Sequence, residues 1–186
     1  MKLKEKILDY QHFNPEKTLV FFLGQSDVEF IYYYKSIKNN YKIDITEFLD
    51  DIVNKYIDFI KTYIKKSVVL GINPTVIKST QHTFNVNFRE PSVINPAGSY
   101  HLDLTYDDVK HFYDDYETRY NNNMQFNKKL SEQCKKQNIP YIELNKEILD
   151  DDMKVKSIYL PKQDDHHLLA NYSLYVELIN QLTPYI

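Results

Sequence analysis

The chain has 186 residues, a net charge of −3 and 42% hydrophobic residues. That is enough for one domain with a real core, and it gives no electrostatic reason to expect nucleic acid or an anionic membrane as a partner. The single cysteine, Cys134, excludes an internal disulfide framework and a multi-cysteine zinc site. No apolar run approaches the ~20 residues of a membrane helix. The charged start, Met1-Lys2-Leu3-Lys4-Glu5-Lys6, has no apolar stretch behind it, so a cytoplasmic protein is expected. The 17 Tyr and 10 Phe, set against no Trp, read as aromatic core filling.

In chain order, Thr18-Leu19-Val20-Phe21-Phe22-Leu23 is a short apolar run halted by Gly24, the pattern of a strand buried on both faces of a parallel sheet. An amphipathic helix follows. Asp44 caps it, Glu47 stands where a capping box places an acid, and Ile45, Phe48, Leu49, Ile52, Val53, Tyr56, Ile57, Ile60 and Ile64 recur at helical spacing. Ser67-Val68-Val69-Leu70-Gly71-Ile72 is a second strand, ended by Pro74. Residues 75–104 read as an irregular excursion, with a small hairpin expected where Thr83-Phe84-Asn85-Val86-Asn87-Phe88 alternates. A helix is expected from Thr105, where Asp108 completes a capping box. It runs on through Met124, Leu130 and Cys134 with a break at Asn121-Asn122-Asn123. Ile139-Pro140-Tyr141-Ile142-Glu143-Leu144 is a third strand. A last helix follows Gln163-Asp164-Asp165-His166-His167, carrying Leu168, Leu169, Tyr172, Tyr175, Val176 and Ile179 on one side.

Strands alternating with helices imply a parallel sheet with right-handed crossovers, a single α/β domain over residues 1–186. Ligands of such sheets bind beyond the carboxyl ends of the strands. Three polar groups reach that edge: Gly24-Gln25-Ser26-Asp27, Gly71-Ile72-Asn73 and the Asp164–His167 segment. A carboxylate on one imidazole nitrogen fixes the tautomer and leaves the other nitrogen to act as a base. Asp164 and His167, three residues apart, suit that pairing, and the chemistry then needs a nucleophile and an oxyanion site.

The pattern resembles the SGNH, or GDSL-like, hydrolase superfamily, whose last block is Asp-x-x-His-Leu; Asp164, His167 and Leu168 match it. The resemblance implies a three-layer, flavodoxin-like α/β fold and an esterase or acyltransferase acting on small O-acyl groups such as O-acetyl on carbohydrate. Its substrate would be a small-molecule or glycan ester, and no cofactor or metal is implied. Two alignments of the front end stay open. In one, Gly24-Gln25-Ser26 is the Gly-Asp-Ser block. Ser26 is then the nucleophile, and Asn73 of Gly71-Ile72-Asn73 is an oxyanion donor; Gln25 and Pro74 depart from the family pattern. In the other, Gly24-Gln25-Ser26-Asp27 is a later Gly-x-x-Asp block of a subgroup, supported by Asn73-Pro74-Thr75, Arg119 and Asn127. Ser26 then only lines the pocket, and the nucleophile strand is missing. A complete family sheet has five strands against three here, which favours the second. That alignment makes the chain a glycan- or partner-binding module without turnover, its sheet edge covered by a second copy or an upstream segment.

Other constellations carry less. Asp107 and His111 are spaced to share a metal but more simply decorate a helix start. Asp150-Asp151-Asp152 lacks the calcium-loop pattern. The Gly-rich phosphate motifs of nucleotide sites are absent.

Overall fold

The computed structural model describes residues 3–89, 104–162, 165, 167–169 and 171–186. Helix α1 (Leu3–Phe13) precedes strand β1 (Leu19–Phe22). A π-helical turn (Asp27–Ile31) runs directly into α2 (Tyr32–Asn39), followed by α3 (Ile45–Tyr63), β2 (Ser67–Leu70) and α4 (Thr80–Phe88). Then come the short α5 (Tyr106–Val109), the long α6 (Tyr116–Lys136), β3 (Tyr141–Ile142), α7 (Asn145–Ile148) and α8 (Tyr172–Leu182).

The three strands form one parallel sheet in the order β1-β2-β3, with Phe21 opposite Val69 and Leu70 opposite Ile142. This is the expected α/β architecture. Both crossovers step in the same direction, so right-handed connections put α3 and α6 on the same face, where they pack on each other. Phe21 and Val69 turn toward that face, into a core with Leu49, Ile52, Val53 and Leu130. Phe21 meets Phe59 of α3 edge to face at 6.4 Å. Core filling holds for some of the tyrosines: Tyr32 and Tyr33 are fully buried, with ring centroids 4.9 Å apart, whereas Tyr10, Tyr41, Tyr63, Tyr172 and Tyr175 are exposed. Cys134 is buried, and burial pushes its thiol up to about 12.

Local chemistry sets the helix starts. The Asp44 carboxylate accepts from the Glu47 N–H at 2.9 Å, a cap that stabilises by about 1 kcal/mol. Thr105 and Asp108 make the expected reciprocal box.

Five expectations are corrected. Residues 80–88 form α4 rather than a hairpin, because Thr83, Phe84, Asn87 and Phe88 are buried at helical spacing and Ser79 caps the start. The helix from Thr105 breaks after Phe112, not at the asparagines. Asp115 caps a new helix through the Thr118 N–H at 2.7 Å, and Asn122 and Asn123 are buried inside α6. The last helix starts at Tyr172 with Asn171 as its cap, so His167 lies before it in non-helical chain. The apolar side read for that helix faces outward: Tyr172 is 83% exposed and Ile179 58%. Finally, β1 is a sheet edge buried on one face only, with Val20 41% and Phe22 46% exposed.

Candidate active site

The site is built from the chain leaving β1 and β2. After β1 the backbone turns through Gly24 at φ +105°, a conformation that glycine adopts without penalty. The Val28 N–H then donates to the Gly24 carbonyl at 3.0 Å. Gln25 and Ser26 therefore open a helix whose first N–H groups have no acceptor within the helix. The Ser26 side chain makes no cap hydrogen bond and is exposed, so capping does not account for it. The helix then widens into its π turn, a distortion found often at functional sites.

After β2 the chain runs without regular structure from Gly71 to Ser79, yet its backbone is held by side chains. The Asn73 N–H donates to Gln25 Oε1 at 2.8 Å, and the Asn73 carbonyl accepts from Asn123 Nδ2 at 3.0 Å. The Ile72 N–H donates to Asn127 Oδ1, and the Ile72 carbonyl accepts from Asn127 Nδ2, both at 2.7 Å. Arg119 donates to the Ile77 carbonyl. A Cβ on Gly71 would press on the Tyr141 hydroxyl and come within 3.2 Å of Asn127, so glycine is needed there for close approach.

These two turns and the C-terminal segment enclose one cavity of about 450 Å³. Gln25, Ser26, Asn73 and His167 line it together. Its other walls are largely apolar, with Phe22 and Leu70 from the sheet face opposite α3 and Leu174 and Leu178 from α8. Four of the residues singled out in the sequence thus converge from three separate stretches. Gly24, Asp27 and Gly71, singled out with them, are not among the residues that line it. Gly24 packs against Phe126. Asp27 accepts from the Tyr56 hydroxyl of α3, and burial raises its carboxyl above the usual range.

His167 Nδ1 lies 2.8 Å from Asp165 Oδ1, and the same oxygen accepts the His167 N–H at 3.1 Å. Asp164, the acid expected in this role, lies outside the described residues. With the proton on Nδ1, the basic lone pair is on Nε2. The pair is solvent-exposed.

Sequence reading missed the buried polar layer under the cavity. Glu29, in the π turn, is 3% exposed and accepts from Asn123 Nδ2 at 3.1 Å. Burial pushes its carboxyl up to about 7, against hydrogen bonds from Asn123, Thr75 and Gln25 and the charge of Arg119. The four-residue spacing of Arg119, Asn123 and Asn127 was a usable signal, but a polar helix stripe ordinarily faces water.

Among the described residues no cluster of three or more His, Cys, Asp or Glu could hold a metal, and no helix is long and apolar enough to cross a membrane. Asp107 pairs with Lys110 at 2.9 Å, and His111 stacks on Phe112.

No protein-family model matches the chain, and no curated protein matches it in sequence. Among solved structures, the crystal structure of a GDSL-like lipase from Bacteroides thetaiotaomicron is similar, with a TM-score of 0.52 and 13% identity over 98% of this chain and 71% of that one. The likeness is one of fold: the chain has a GDSL-like α/β fold.

Proposed function

We propose that the protein is a serine esterase of small O-acyl groups, working through an acyl-enzyme, with O-acetyl on carbohydrate as the class that the family resemblance implies. The observation supporting this reading is that Ser26, His167 and the candidate donor Asn73 line one cavity. In the proposed reaction Ser26 Oγ attacks the ester carbonyl while His167 Nε2 takes its proton. The tetrahedral oxyanion is met by the Ser26 N–H, unused by its helix, and by the Asn73 amide. Collapse expels the alcohol, protonated by His167. Water, deprotonated by His167, then releases the acid and restores Ser26. Asp165 holds His167 through Nδ1. The apolar wall of Phe22, Leu70, Leu174 and Leu178 suits the acyl side of an ester rather than its alcohol.

Hydrolysis of p-nitrophenyl acetate, butyrate and hexanoate tests this. Ser26→Ala and His167→Ala are expected to lower kcat/KM by about 10³-fold or more. Asn73→Ala is expected to cost ~2.7–4 kcal/mol of barrier. Asp165→Ala is expected to slow turnover; if Asp164→Ala does so instead, the histidine's orienting acid is the one the family block implies. Full activity in Ser26→Ala would end the proposal.

A second reading, a binding module without its own nucleophile strand, is favoured by the sheet itself. Among the described residues the strand order shows no reversal, and β1 is an edge with Val20 and Phe22 exposed. An exposed apolar edge strand is a template for pairing with another strand. This reading expects concentration-dependent self-association in light scattering; a monomer at every concentration counts against it.

A further inference from the structure

We propose that Glu29 and Asn123 are positioning residues for Asn73, and that the charge on Glu29 sets how firmly the site holds it. The inference rests on the reading of Asn73 as part of a reactive site. Asn123 is fully buried, and its single amide nitrogen serves two acceptors, Glu29 Oε1 at 3.1 Å and the Asn73 carbonyl at 3.0 Å. One NH₂ group has two hydrogens, so each bond fixes the direction of the other. The far side of Asn73 is tied to the same helix: Gln25, four residues before Glu29, accepts its N–H. Asn73 is thereby held at both backbone groups by side chains whose geometry Glu29 anchors.

A carboxylate is a stronger acceptor than a carboxylic acid, roughly twofold in bond energy. A proton on Glu29 therefore weakens the bond that orients Asn123 and loosens the Asn73 carbonyl. The groups facing Glu29 are Asn123 and the charged Arg119 from α6, Thr75 from the segment after β2, and Gln25 from its own helix. Tyr116 of α6 feels its charge in turn. Of these, Glu29 is the group that burial brings to titrate near neutrality. The direction follows: Asn73 is firmly held above about pH 7 and loosened below it.

The test follows the Asn73 backbone ¹H–¹⁵N resonance and the Glu29 carboxyl ¹³C resonance of the wild-type protein from about pH 5 to about pH 9. Both are expected to move with one shared midpoint, and Glu29→Gln removes that transition from Asn73. In turnover, Glu29→Gln is expected to lower kcat about fivefold with KM unchanged, the difference between a charge-assisted and a neutral hydrogen bond. An Asn73 resonance that stays flat overturns the proposal. So does one that follows the His167 ring and persists in Glu29→Gln. If Glu29→Gln does not fold, the wild-type comparison of the two midpoints alone decides. A shared midpoint in a protein without esterase turnover supports the coupling and removes only the esterase reading.

Discussion

Gly24→Ala is expected to destabilise the protein by about 3 kcal/mol, the sum of a left-handed backbone penalty of ~1–2 and an overpacking cost of ~1–3. The backbone there sits at φ +105°, where an L side chain is strained whatever space surrounds it. Space is also lacking: a Cβ would come within 2.6 Å of Phe126 Cε1, on a ring that is itself fully buried. Phe126 sits in α6 between the polar residues Asn123 and Asn127, so moving the ring also disturbs the segment after β2. For a domain of this size the loss corresponds to a Tm lower by roughly 6–12 °C. In a double-mutant cycle, Phe126→Leu, which has its own cost as a fully buried ring, is expected to lower the additional loss caused by Gly24→Ala toward the backbone term alone. Thermal and urea unfolding read the result. A Gly24→Ala midpoint equal to wild type would mean that the turn between β1 and Ser26 is not built as described.

Asn127→Leu is expected to cost about 2–5 kcal/mol, since each buried backbone group left without a partner costs ~1–3. Asn127 is 1% exposed and serves both the N–H and the carbonyl of Ile72 at 2.7 Å. Ile72 is itself 1% exposed, so water cannot replace the amide without opening the core. Leucine has similar bulk and offers neither a donor nor an acceptor. Asn127→Asp separates the two halves. It keeps the acceptor for the Ile72 N–H, loses the donor to the carbonyl, and sets a second carboxylate beside Glu143, to which Asn127 now donates at 3.3 Å. It is therefore expected to be at least as damaging near neutral pH and milder in acid, where protonation restores a donor. Lys128→Leu, one position along on the exposed side of α6, is the control and should leave the urea midpoint unchanged.

What was legible in the sequence depended on how each element buries itself. β1 and β2 are continuous apolar runs ended by Gly24 and Gly71, and their existence as paired parallel strands followed from that pattern, but burial on both faces did not hold for the edge strand β1. α3 was legible from its period and its Asp44 cap because it has a single apolar face. The third strand is only Tyr141–Ile142, shorter than its apolar run, since Glu143 leaves the ladder to take hydrogen bonds from Tyr141 and Asn127. α2 was missed because the π turn before it shifts the helical period within Phe30–Tyr34. α6 was broken in the wrong place because its asparagines look like a solvent stripe or a turn, whereas Asn123 and Asn127 spend their amides on a neighbouring backbone. The outward face of α8 was read as core from spacing alone. Of that side only Tyr175 in α8 lines the cavity; Leu174 and Leu178, four apart and not read as core, line it too.

The candidate site was legible in part for the same reason. Ser26 and Asn73 follow the ends of strands the pattern defined, so their placement at one edge followed from topology, whereas His167 reaches the cavity from irregular chain before α8. The acid bonded to His167 depends on the path of an irregular segment, which spacing does not fix; Asp165, two residues before the histidine, makes the bond among the described residues. Glu29 had no sequence signal. Its burial comes from the π turn and from α6 packing over it.

Whether Ser26 is a nucleophile is the claim on which the account turns. Labelling the folded protein with a fluorophosphonate probe addresses it directly, because the probe reacts only with an activated serine. The account predicts covalent labelling of wild type at Ser26, identified by peptide mass, none in Ser26→Ala, and labelling abolished or greatly slowed in His167→Ala. A folded wild type that takes up no label, or takes it up equally in Ser26→Ala, would contradict it.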